Sequence, residues 1–143
     1  MKIFGHPVHV MLIHFPSALF PMDLVCSIIA YAYGLNSFAH ASFYAMAGGV
    51  VLGGMAMLAG GADLLTVSKD KPQLVVKILI HGSINTAVVI GYSIIAFMAY
   101  KNYPALLPDS LLIMALKGAL VALMVVGNYF GGNLVLKEKI GVD

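Results

Sequence analysis

The sequence predicts an all-α membrane protein, a transmembrane four-helix bundle with up-down-up-down connectivity. Of its 143 residues, 61% are hydrophobic and only 10% are charged, whereas soluble domains carry about 25% charged residues. Four apolar runs are each long enough to cross a hydrocarbon core, which needs about 20 residues. The segments between these runs are short, so we expect consecutive helices to lie antiparallel and side by side. The lipid bilayer is therefore the expected surroundings of the chain.

The whole chain is expected to form a single transmembrane domain, residues 1–143. The first run continues from Val8 to Leu35, which is longer than the 7–15 apolar residues of a signal peptide. It also contains Pro16, Pro21 and Asp23, so we interpret it as a retained helix rather than a cleaved leader. The four predicted helices span about 8–33, 41–65, 76–100 and 110–136.

Lysine counting predicts that both termini are cytoplasmic in a cell inner membrane. Cytoplasmic loops carry an excess of basic residues. The side that holds the termini and the second loop has six lysines, and the opposite side has only Lys101 outside a helix. The chain has no arginine and no basic cluster, which argues against a nucleic-acid partner. The six lysines are Lys2, Lys69, Lys71, Lys77, Lys137 and Lys139.

The histidines are the main candidates for chemistry. His6, His9 and His14 lie where the first helix begins, and His81 lies near the start of the third. Asp63 lies at the end of the second helix, so the topology places all of these residues near the cytoplasmic face. Imidazole is costly inside a bilayer and normally finds a partner or a metal there.

A b-type haem is one use of this cluster. His14 and His81 are the expected axial ligands, because they would face each other from two helices at similar depth. His6 and His9 would support the site or act as alternative ligands. Only His40 lies at the opposite surface, so one haem is expected rather than a pair that spans the membrane.

Two polar residues are expected to support the histidines. Asp63 could accept a hydrogen bond from a ligating imidazole and so orient the ring. Asn85 lies one turn beyond His81 on the same helix face. The two side chains would then complete a hydrogen-bonded cluster around the ligands.

Two other interpretations of the histidines remain open. A transition-metal ion could be held by His6, His9 and His14 together with Asp63 or His81, since zinc and copper both accept imidazole. Alternatively, the histidines hold the helix ends together and bind no cofactor.

Two further patterns concern the interior of the bundle. Asp23 and Lys117 fall within apolar helices, and their depths allow an intramembrane ion pair that would spare both charges an isolated burial. Ala45, Gly49, Gly53 and Gly61 share one face of the second helix. Such a stripe allows close helix packing or leaves room for a planar cofactor.

The N-terminal motif resembles a known family. HPVHVMLIHFPSALFPMD is similar to the opening of the predicted membrane proteins grouped as domain of unknown function 2231, which typically begin HP-x-HP-x-x-x-HFP. Here Val10 stands where a second proline is usual. His81 with Asn85 resembles the family's third-helix His-x-x-x-Asn, and GGNLVLKEKIGVD is similar to its C-terminal ending. Some relatives carry Rieske-type iron–sulfur domains, which implies redox work.

The sequence analysis favours a small b-type cytochrome-like electron-transfer subunit that binds haem b near the cytoplasmic face. The alternative is a non-catalytic membrane scaffold or assembly subunit, with a metal ion or no cofactor. We expect no enzyme activity of its own, because no nucleophile–base pair can be identified. A redox or membrane-complex protein is the expected partner, and the sequence is compatible with a homo-oligomer.

Overall fold

The computed structural model describes residues 2–3, 6–65 and 72–138. Two short strands form an antiparallel pair in which Lys2 lies opposite Pro7 and Ile3 opposite His6. Most of the remaining described chain is helical. In chain order the elements are β1 (Lys2–Ile3), β2 (His6–Pro7), α1 (Val8–Leu12), α2 (His14–Tyr33), α3 (Asn36–Leu64), α4 (Pro72–Tyr100) and α5 (Leu111–Glu138).

The predicted fold class is confirmed. Within the described residues, four helical segments are long and apolar enough to cross a membrane: Val8–Tyr33, Asn36–Leu64, Pro72–Tyr100 and Leu111–Glu138. Helices α2 and α3 pack closely as one antiparallel pair, and α4 and α5 as another. The second span begins at Asn36 rather than near residue 41. The third begins at Pro72 rather than near residue 76, and proline suits the first turn because the N–H it lacks has no helical partner there.

Apolar side chains cover the outside of the bundle as well as its core. Leu58, for example, is 78% exposed and Leu136 is 81% exposed. In a bilayer these side chains meet lipid tails, so little hydrophobic driving force pulls the helices together. Close packing contributes instead. A Cβ built on Gly49 would lie 2.5 Å from Cε1 of Phe20, so only glycine lets α2 and α3 approach this closely.

An apolar layer crosses the middle of the bundle. At its centre the rings of Phe20 and Tyr92 stack with centroids 3.8 Å apart and planes 1° from parallel. The buried residues of the layer are Phe20, Met46, Val88, Tyr92, Ile95 and Met124. These residues lie near the middle of their helices, so this central layer divides the interior of the bundle into two ends. We name these the histidine end, where α1 begins and α3 terminates, and the lysine end, where α2 terminates and α3 begins.

The connection between α4 and α5, residues 101–110, closes the lysine end. It contains a cis peptide bond between Tyr103 and Pro104, and Leu106 is buried against Ala30 and Ala39. His40 holds it to α3, because Nδ1 lies 2.9 Å from the Asn36 carbonyl oxygen and Nε2 lies 2.9 Å from that of Pro104.

Candidate functional site

A cavity of about 590 Å³ opens at the histidine end. Small-molecule and cofactor sites typically enclose about 300–1,000 Å³ and combine a mostly apolar wall with a few polar groups. All of the long helices contribute to this wall. The polar side chains that line it are those of His9, Ser17, Asp63, His81, Ser83, Asn85, Thr86 and Asn128. We call this space the histidine cavity.

His9 enters the cavity from α1 and is tied to α3. Its Nδ1 lies 2.8 Å from the carbonyl oxygen of Ala56. A Cβ built on Gly60, one turn further along α3, would lie 2.9 Å from Cε1 of His9. The absence of a side chain at Gly60 is therefore what lets the imidazole lie against the α3 backbone.

His81 repeats this arrangement on the other helix pair. Its Nδ1 lies 2.8 Å from the carbonyl oxygen of Gly127 on α5, and a Cβ on Gly131 would lie 2.5 Å from its Cε1. Asn85 donates from Nδ2 to the His81 carbonyl oxygen at 3.0 Å. Each imidazole thus packs against the backbone of a neighbouring helix at a glycine, which has no Cβ to clash with the ring.

The two imidazoles lie close together across the cavity. Their ring centroids are 6.3 Å apart, and the ring planes are inclined by 83°. The carbonyl oxygens of Ala56 and Gly127 can only accept, so each of these contacts is a hydrogen bond when Nδ1 carries the proton. Nδ2 of Asn85 also lies 3.2 Å from Nδ1 of His81. In neutral imidazole a proton on Nδ1 leaves the lone pair on Nε2, the state in which histidine binds a metal.

His14 lies outside this pair. It is exposed and is not among the residues that line the histidine cavity. Backbone hydrogen bonds continue through Ile13, from its N–H to the His9 carbonyl oxygen at 3.1 Å. Successive helical residues are about 100° apart, so His14 lies about 140° around the helix from His9. The structure therefore places the ring of His9, rather than that of His14, beside His81.

Of the other expected site residues, two line the cavity and one has a side chain outside the described part of the structure. Asp63 and Asn85 line the cavity, and Asn85 bonds to the backbone of α4. The backbone of His6 pairs with Ile3, but its side chain lies outside the described part of the structure. Among the described residues, no group of three or more His, Cys, Asp or Glu side chains could hold a metal ion.

A second polar site lies beyond the central layer, at the lysine end. Lys117 and Asp23 are both fully buried, and Nζ lies 2.7 Å from Oδ1. The structure thus brings together the two residues that the sequence analysis paired. Three more residues, Ser27, Ser42 and Asp109, complete what we call the lysine cluster.

The lysine cluster is held by side-chain hydrogen bonds from several elements. Nζ of Lys117 lies 2.6 Å from Oδ2 of Asp109, 2.9 Å from Oγ of Ser27 and 3.2 Å from Oγ of Ser42. Ser42 donates to Oδ1 of Asp23, and Ser27 donates to Oδ2 of Asp109 at 2.8 Å. Sequence reasoning missed all three partners, although Ser27 follows Asp23 by one turn on the same face of α2.

One family matches the chain from residue 5 to residue 143, and it is described as Predicted membrane protein (DUF2231). The chain belongs to the DUF2231 family. The resemblance seen in the N-terminal motif is thereby confirmed. The DUF2231 match covers both the histidine cavity and the lysine cluster. No curated protein and no solved structure matches the chain.

Proposed function

We propose that this DUF2231 protein is a b-type cytochrome-like electron-transfer module that holds one haem between His9 and His81. The pairing of these two histidines over one cavity carries the proposal. They come from different helix pairs, and Nδ1 of each lies 2.8 Å from a backbone carbonyl oxygen. Two neutral imidazoles with free Nε2 lone pairs are the donor set of a bis-histidine haem.

The spacing of the rings and the shape of the wall suit this group. Two imidazoles that bind one metal ion from opposite sides, at metal–nitrogen distances of about 2.0–2.1 Å, have ring centres about 6 Å apart. The observed centroid distance is 6.3 Å. Gly53, Gly60, Gly61 and Gly131 line the cavity, and the rings of His9 and His81 lie against Gly60 and Gly131.

The residues of the chain have distinct roles in the proposal. Nε2 of His9 and Nε2 of His81 would hold the haem iron, and the hydrogen bonds at Nδ1 would orient the rings and make Nε2 more basic. The apolar wall excludes water from the site. When bound, haem supplies a one-electron redox couple. A redox protein in the same membrane would exchange that electron, and lysine counting favours the cytoplasmic face of the inner membrane for the histidine end.

Optical spectroscopy of the full chain tests the proposal. We expect the protein, expressed with added haem and purified in detergent, to show Soret and α bands that sharpen on dithionite reduction. His9→Ala and His81→Ala should each abolish the reduced α band, because six-coordinate low-spin haem needs both ligands. His14→Ala is the matched control and should leave the spectrum unchanged. A folded wild-type protein that stays colourless would overturn the proposal, and so would loss of the bands in the His14→Ala control.

A structural role for the histidines is the second candidate, favoured by their existing contacts. His9 already joins α1 to α3, and His81 already joins α4 to α5. The protein would then be a non-catalytic scaffold or assembly subunit of a membrane complex. In that case the purified protein would bind neither haem nor a transition metal by elemental analysis. His9→Ala and His81→Ala would lower its unfolding temperature without any spectral change.

A further inference from the structure

We propose that the lysine cluster is a proton-binding site, at which Asp23 and Asp109 hold one exchangeable proton between them. The proton comes from hydronium in the aqueous phase at the lysine end and converts one carboxylate into a neutral carboxyl group. This proposal does not depend on haem, because the lysine cluster lies on the other side of the central layer from the histidine cavity.

The charges of the cluster do not balance without such a proton. Among the described residues, the titratable groups that face it are the carboxyls of Asp23 and Asp109, the ammonium of Lys117, the thiol of Cys26 and the phenol of Tyr92. With both carboxyls ionised, the cluster carries two negative charges against one positive charge. Asp23 and Lys117 are fully buried, and the side chain of Asp109 is 21% exposed. A net negative charge beside the buried pair is unfavourable, and one proton makes the cluster neutral.

The contributions of the remaining elements leave this count unchanged. Helix α3 contributes only the hydroxyl of Ser42, which donates to Asp23. Helix α4 contributes Tyr92, whose hydroxyl donates to the Lys117 carbonyl oxygen at 3.4 Å. Neither supplies a second cation.

The hydrogen bonds single out one oxygen as the place for the proton. Nζ of Lys117 has three N–H groups, and it already lies near two carboxylate oxygens and two serine hydroxyls. Both serine hydroxyls are also engaged. Oδ2 of Asp23 is the one buried side-chain oxygen in the described residues that has no hydrogen-bond partner. A proton there removes the negative charge from the oxygen that the cluster does not stabilise.

Access is possible from one direction. The side chain of Asp109 is 21% exposed, so it contacts the surface at the lysine end. From its Oδ2 a chain of hydrogen-bonding groups continues inward through Oγ of Ser27, which lies 2.9 Å from Oγ of Ser42, and on to Asp23. The stacked rings of Phe20 and Tyr92 close the opposite direction. The site should therefore exchange protons only with the aqueous phase at the lysine end.

Infrared spectroscopy of the full chain in lipid nanodiscs tests the proposal. We expect the carbonyl-stretch band of one buried protonated carboxyl group at neutral pH, with a downshift in D₂O that shows exchange. Asp23→Asn should abolish the band. Asp109→Asn should abolish it too, because the remaining pair of Asp23 and Lys117 is neutral without a proton. Asp63→Asn is the matched control, an aspartate of the histidine cavity, and should keep the band.

Removal of the cation provides an independent arm of the test. In Lys117→Met both carboxyls lose their counter-charge, so the band should roughly double. Circular dichroism and monodisperse elution would identify the variants that fold. The wild-type band and its shift in D₂O need no variant. Absence of the band from the wild type would overturn the proposal, and so would a band that survives in Asp109→Asn.

Discussion

The histidine end and the lysine end of the bundle place polar groups in the membrane in opposite ways. At the histidine end, His9 and His81 bond to backbone carbonyls, glycines clear the space around them, and a cavity of about 590 Å³ remains. At the lysine end, charged side chains bond to one another and fill the interior. The first arrangement leaves an open cavity beside the two imidazoles, as the proposed haem site requires. The second satisfies its hydrogen-bonding groups mainly with its own residues, and one proton from the aqueous phase completes its charge balance in our proposal.

This difference predicts the largest effect of mutation at the lysine end. Lys117→Met leaves the buried Asp23 and the partly exposed Asp109 without a cation, and breaking a buried pair in this way costs about 3–5 kcal/mol. The free energy of unfolding, measured by SDS titration in mixed micelles, should fall by about that amount. Lys77→Met is the matched control, because the pair of Lys77 and Glu138 has side chains 56% and 35% exposed and such pairs contribute at most about 1 kcal/mol. Equal losses in the two variants would show that the lysine cluster stabilises the fold no more than the exposed pair of Lys77 and Glu138.

The histidine end should respond less strongly and by a different mechanism. Gly131→Ala places a Cβ 2.5 Å from Cε1 of His81, so the ring must move, at a cost of about 1–3 kcal/mol for such overpacking. We expect a lower unfolding temperature and weaker haem retention. Gly132→Ala is the adjacent control, since its Cβ would meet nothing within 4 Å. If both variants retained haem equally, the position of the His81 ring would not depend on Gly131.

The smallest effect concerns the connection that carries Asp109. His40→Ala removes two hydrogen bonds at the surface, one to Asn36 and one to Pro104, each contributing about 0.5–1.5 kcal/mol. Backbone amides of residues 101–110 should then exchange faster in hydrogen–deuterium measurements, while those of α3 beyond its first turn should be unaffected. Uniform acceleration over the whole chain would indicate that His40 stabilises the bundle rather than this connection.

The fold was predictable from sequence because length and hydropathy alone define membrane spans. The pairing of Asp23 with Lys117 was predictable from their depth in the membrane, since both lie well inside apolar helices. Depth gives the height of a residue along the helix but not its direction around it, and for this reason it favoured His14 over His9. Asp109 was missed because it lies in the connection between two helices. Neither helical periodicity nor depth in the membrane can be used there to predict which residues it contacts. Ser27 and Ser42 were missed because a serine hydroxyl is uncharged. It can lie in an apolar helix without a charged partner, so nothing in the sequence indicated that it pairs with Asp23 or Lys117.

The stacked rings of Phe20 and Tyr92 also have an electrical consequence. A layer of hydrocarbon and aromatic groups that excludes water is where most of the voltage across a membrane falls, and each unit charge that crosses 100 mV gains or loses about 2.3 kcal/mol. A charge added to the lysine cluster would cross little of that voltage from its own aqueous phase, and a charge added at the histidine cavity would cross little from the other. Most of the membrane voltage would therefore fall across the central layer. The charge state of each end of the bundle would depend mainly on the aqueous phase at that end.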